Sequence, residues 1–160
     1  MFRKVTGAAL ALWLSVLPLQ AAQSAMEVSA GWTRPTVPGV TVAVGYFVVK
    51  NTGSSKRELL KITSPLSSGI TLHQSSVDAQ GVSRMWPMGK LEIEPGMSVA
   101  FSPNGKHLML AGLTQALRVG QRVPVTLVFQ DEAPVTVQLE VRPLVDEAAP
   151  PMGPLHHDHH

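Results

Sequence analysis

Beyond residue 24 the chain never runs far before a glycine, proline, asparagine, aspartate or serine interrupts it. With 13 glycines and 13 prolines in 160 residues, no long stretch keeps the 3.6-residue apolar period of a helix. The segments between these breaks are short and rich in valine, leucine, threonine and aromatics, which suit a pleated, half-buried surface. The clearest is Val40–Lys50, closed by the turn Asn51-Thr52-Gly53. Glu58–Thr63, Gly69–Val77, Val82–Met88, Ser98–Ser102, His107–Leu113, Val123–Gln130 and Val135–Val141 follow the same pattern. Many short strands at this spacing predict an all-β domain, an antiparallel sandwich or small barrel. Leu113–Gly120 has room for one helical turn.

The ends read differently. Arg3 and Lys4 precede the uncharged, mostly apolar run Val5–Leu17, then Pro18 and the small residues Ala21, Ala22, Ser24 and Ala25. Basic, apolar and small in that order is the layout of a secretory signal peptide, and the run is short of the roughly 20 residues that span a bilayer. Residues 1–24 are therefore expected to be a signal peptide, 25–145 the domain and 146–160 a tail. Export to the periplasm follows, with no stable membrane insertion once the signal is cleaved. The tail is rich in proline, small and acidic residues and has little to bury. It ends His156-His157-Asp158-His159-His160, with Met152 upstream, a set suited to capturing Cu(II).

The chain has no cysteine, although an exported protein has access to disulfides. Its core must therefore hold without cross-links, and thiol chemistry is excluded, as is a blue-copper centre, which needs a thiolate. The formal net charge of +2 offers no concentrated basic face for nucleic acid.

The chemistry lies in the two histidines outside the tail. His107 and Met109 are two apart in one strand and share a face, while Leu108 points into the core. His73 lies on the first arm of a hairpin turning near Asp78-Ala79-Gln80-Gly81, which sets Met85 or Trp86 opposite it. If the hairpin and the later strand meet, two imidazoles and two thioethers converge. Thioether sulfur suits Cu(I) and is foreign to ordinary zinc sites. Met88 is an auxiliary candidate near the irregularity at Pro87, Met97 reads as structural, and Trp86 is expected to shield the ion.

The spacing His73-Gln74-x10-Met85-x21-His107-Leu108-Met109 resembles the His-(Met)-x10-Met-x21-His-x-Met signature of the periplasmic copper chaperone family PCu(A)C. Trp32-Thr33-Arg34-Pro35, Gly45-Tyr46-Phe47, Lys50-Asn51-Thr52-Gly53 and Lys106–Leu113 are similar to the family as well. Gln74 departs from members that carry methionine there, which touches only an auxiliary contact. The resemblance spans about residues 26–143. It implies a cupredoxin-like, Greek-key β-sandwich holding one Cu(I) at an exposed edge, and a non-enzymatic role. The partner it implies is the Cu(A) centre of cytochrome c oxidase subunit II, or another copper chaperone. Rival readings are general periplasmic copper tolerance or sequestration, a secreted interaction sandwich, and a hydrolase built from Ser75, Ser76, His73 and Asp78.

Overall fold

The computed structural model describes residues 24–143. The expected signal peptide and the histidine-rich tail, with Met152, His156, His157, His159 and His160, lie outside the described residues. Ten strands follow one another: β1 (Met26–Thr33), β2 (Val42–Asn51), β3 (Arg57–Thr63), β4 (Ser67–Val77), β5 (Ser83–Pro87), β6 (Glu92–Ile93), β7 (Ser98–Ala100), β8 (Lys106–Leu113), β9 (Arg122–Phe129) and β10 (Val135–Val141). Among the described residues there is no helix, so the all-β expectation holds. The segment after Leu113 forms bends and a turn instead of a helical turn, and it buries Leu117 in the core.

Hydrogen bonding runs in the order β5-β4-β8-β2-β1-β10-β9-β3-β6, with β7 added to β2. Every pairing is antiparallel except β1 with β10, which is parallel through Trp32↔Glu140 and Thr33↔Val141. The sheet is therefore mixed, with the expected antiparallel pairing everywhere but at this one junction. One crossing strand, β1, ties the half carrying β2, β8, β4 and β5 to the half carrying β10, β9 and β3.

Alternation builds the core. Val123, Val125, Leu127 and Phe129 of β9 are buried at every second position, as are Val137, Leu139 and Val141 of β10. Leu108 and Leu110 of β8 meet Phe47 and Val49 of β2 in the same cluster, and Phe47 stacks on Phe101 with centroids 4.4 Å apart. Buried Asn51 ends β2. Its amide donates to the Ile93 and Ser55 carbonyls and its Oδ1 accepts from the Gly53 amide. The turn Asn51-Thr52-Gly53 is thereby locked to the core by a fully satisfied polar group. With Leu108 and Leu72 facing inward, the intervening residues of β8 and β4 stand on the outer face of the sheet.

Candidate metal centre

Strand pairing decides which side chains meet. In β4 against β8, His73 is directly opposite His107, and Thr71 is opposite Met109. In β4 against β5, His73 faces Pro87 and Ser75 faces Met85. Opposed residues of an antiparallel pair share a face, so His73, Met85, His107 and Met109 all stand on the outer face. The hairpin loop is longer than the sequence suggested. Asp78 receives both Gln80 and Val82 amides on Oδ1, and its own amide bonds to the Val82 carbonyl. That length slides β5 along β4 and puts Pro87, rather than Met85 or Trp86, opposite His73. Met85 instead reaches over β4 to β8.

It reaches far enough. The Met85 Sδ lies 3.2 Å from the His107 Nε2, and the two imidazoles stack with centroids 5.9 Å apart at 23°. The His107 Nδ1 is 3.1 Å from the Gly105 carbonyl. A carbonyl can only accept, so Nδ1 carries the proton and Nε2 presents its lone pair beside the sulfur. The His73 Nε2 is 3.0 Å from the Thr71 hydroxyl. Its Nδ1 is buried and has no hydrogen-bond partner, a costly state for a polar atom unless a ligand completes it. Each ring thus has one nitrogen engaged and one free. His107 is 6% exposed and Met85 53% exposed, so the cluster has a protein-covered floor and one residue open to solvent. Met109 completes the row, half-buried between Thr71 on β4 and Val44 on β2.

Other candidates fall elsewhere. Met88 packs against the hydrophobic core and donates its amide to the Leu72 carbonyl, away from the outer face. Trp86 is paired with Gln74 on the side of the sheet opposite Met85 and is 42% exposed. Alternation along β5 thus removes it as a shield. Met97 is exposed in the turn before β7. Asp78 pairs with Arg84 at 3.5 Å and shapes the hairpin turn, while His73 bonds Thr71, so the residues of the hydrolase alternative are not linked as a triad. Among the described residues no group of three or more His, Cys, Asp or Glu side chains gathers to hold a metal ion.

Sequence reading had assigned no role to Thr71 and Gly105, the groups that orient the two rings. Thr71 could have been found, since it stands two residues before His73 on the same face. It had also left Trp32 and its surroundings without a role. Trp32 packs against Tyr46 in a tilted pair, centroids 4.4 Å apart at 38°, and the guanidinium groups of Arg34 and Arg142 lie 5.9 and 5.8 Å from its ring centroid. Burial raises the Tyr46 phenol above its ordinary pKa, and Arg34 partly offsets this.

The sequence pattern of the LpqE-like family of lipoproteins matches residues 26–141. The chain belongs to this family. Lipoprotein Lxx21020 of Leifsonia xyli subsp. xyli is 32% identical over 117 residues, 73% of this chain and 69% of the relative. Among solved structures, the copper-bound PCuAC domain from PmoF2 superposes with a TM-score of 0.63 at 23% identity, covering 77% of this chain and 97% of that domain. The Cu(I) form of DR1885 from Deinococcus radiodurans gives 0.54 at 22% identity, covering 78% and 81%. The fold of this LpqE-like chain is thus the cupredoxin-like β-sandwich of PCu(A)C domains.

Proposed function

We propose that this LpqE-like protein is an exported copper chaperone that carries one Cu(I) on His73, Met85, His107 and Met109. The observation that carries the reading is the pairing of a free His107 Nε2 with the Met85 sulfur at 3.2 Å, beside the unpartnered His73 Nδ1. That spacing is close to the roughly 3.5 Å between neighbouring donors on one four-coordinate ion. Imidazole and thioether donors are neutral, so the loaded site stays cationic and selects a soft monovalent ion over hard cations. His107 sits on a covered floor while the Met85 side chain is exposed at the sheet edge, an arrangement suited to handing cargo across an open edge. Copper-bound relatives of the same fold and a lipoprotein relative support both the cargo and the export. The recipient that fits the family resemblance is the Cu(A) centre of cytochrome c oxidase subunit II, with residues 146–160 gathering Cu(II).

A competition titration against a chromophoric Cu(I) chelator tests the site. It uses the mature chain with the four tail histidines changed to alanine, beside the same chain carrying His107→Ala and Met109→Ala. One tightly held equivalent is expected in the first and none in the second. Absence of tight binding in the first rejects the chaperone reading.

A further inference from the structure

The outer face that carries the four ligands does not end at Met109. Val44 of β2 is the direct cross-strand neighbour of Met109. With Val37, Val40, Val42, Tyr46 and Arg34 it lines an open groove of about 360 Å³. Val37, Val40 and Val42 are 67%, 42% and 42% exposed, an apolar surface with nothing over it among the described residues. At its far border Tyr46 packs tilted against Trp32, and Arg34 and Arg142 lie against the same indole. Arg142 also holds Glu140 at 3.3 Å, whereas Arg34 has no ion pair among the described residues. The groove is thus apolar along its length and cationic at one end.

The chain itself leaves the domain at that cationic end. β10 runs parallel to β1, and the Arg142 amide donates to the Thr33 carbonyl, so Pro143 emerges beside Arg34 and Trp32. The residues that follow in the sequence are Leu144-Val145-Asp146-Glu147, then Ala148-Ala149-Pro150-Pro151-Met152: two acids within four residues of Pro143, then apolar and proline residues. We infer that the groove bounded by Arg34, Trp32 and Val44 is the seat of the chain's own residues 144–152, with Asp146 and Glu147 against Arg34 and Arg142.

Length permits it. Three strand spacings of about 4.8 Å, from β10 through β1 and β2 to β8, make roughly 14 Å. His156 lies thirteen residues beyond Pro143, and a flexible chain of that length spans roughly 20 Å on average. A seated proximal segment therefore leaves the distal histidines within reach of His107 and Met109. Because the segment is tethered, weak contacts suffice: the second event is intramolecular and its effective concentration is in the millimolar range. Proline limits the chain entropy lost on ordering.

The seat can be tested without metal, so its failure is separate from any failure of the copper reading. The chain has no native cysteine, and Ala149→Cys in the mature chain takes a single nitroxide label. Relaxation enhancement is then read at assigned backbone amides. A tail tethered at Pro143 but free of the groove broadens Gln121 and Arg122, which lie one strand from β10 on the β9 side, more than it broadens Val44, two strands away. The seat predicts the reverse order, with Val42, Val44 and the Trp32 indole broadened most. It also predicts that Asp146→Lys with Glu147→Lys, or high salt, restores the order of a free tether. Stronger broadening at Gln121 and Arg122 in the parent overturns the proposal, as does a pattern indifferent to the charge reversal. Mixing labelled, isotope-free chain with isotope-labelled chain lacking the nitroxide must give no broadening; broadening there identifies a second copy as the occupant and overturns the intramolecular seat.

Discussion

At the scale of single residues, the proposed centre depends on two groups that would not themselves bind the ion. The Gly105 carbonyl selects the His107 tautomer that frees Nε2, and the Thr71 hydroxyl engages the His73 Nε2 so that Nδ1 is the nitrogen left over. Groups of this kind usually matter to metal affinity by about 10–100-fold. Thr71 is exposed on a strand, where valine is equally at home. Thr71→Val is therefore expected to weaken Cu(I) binding about 10–100-fold while leaving the thermal midpoint unchanged. Thr71→Ser should restore the affinity, because it returns the hydroxyl. Competition titration beside thermal unfolding checks all three. Unchanged affinity in Thr71→Val would mean that His73 is oriented by its stacking on His107 alone.

Between residues and the whole lies the strand, and here legibility in the sequence was uneven. Strands β2 to β5 and β7 to β10 were readable as short runs bounded by turn residues, with clear alternation of valine and leucine in β9 and β10, and Val135–Val141 was read to the residue. β6 is a two-residue pairing too short to carry a period. β1 is not among the strands read from the sequence, although Met26, Val28, Ala30 and Trp32 alternate with Glu27, Ser29, Gly31 and Thr33; small and polar residues at Ser29, Ala30 and Gly31 make its β signal weak. The strand is also broken by a register shift between Ser29 and Trp32, with Ala30 at φ 53°. What makes it a strand is its neighbours on both sides, a tertiary cause that local propensity does not contain. The same limit applied to the site. The spacing of His73, Met85, His107 and Met109 singled out the candidate residues, but the pairing of β4 with β8 and the hairpin register come only from the fold. Gly31 shows how tightly β1 is gripped. A Cβ there would stand 2.6 Å from the Val137 Cγ2 and 2.8 Å from the Gln138 carbonyl oxygen. The backbone oxygen cannot step aside as a side chain can, so Gly31→Ala forces β1 and β10 apart. A loss of about 1–3 kcal/mol in denaturant unfolding is expected, the cost falling on the one parallel junction between the two halves of the sheet. An unchanged midpoint would show that β1 can shift without cost.

For the molecule as a whole, the proposed ligands are unequally anchored, and this asymmetry bears on how cargo would enter and leave. β8 lies in the middle of the sheet, between β4 and β2, with Leu108 and Leu110 fully buried. β5 is the terminal strand. All five of its residues are exposed, and its ladder is made with β4 alone. Stability differs across such a structure, and an edge strand with few buried contacts opens at a lower free energy than the core. Cu(I) held by Met85 together with His107 would tie the loose edge to the fixed centre across β4. An ion that binds only the closed arrangement stabilises it by mass action. Amide hydrogen exchange should therefore slow on Cu(I) loading at Arg84, Met85 and Trp86 in β5, by a larger factor than at Val123, Val125 and Leu127 in β9. The Met85→Leu variant keeps the apolar bulk and removes the sulfur, so it should lose this selective protection even if the remaining three ligands still hold copper. Equal protection of β5 and β9 would mean that the ion stabilises the domain globally. Release would then require opening of the whole sheet, whereas selective protection places the exit at the β5 edge, where a recipient's own ligands can displace Met85 first.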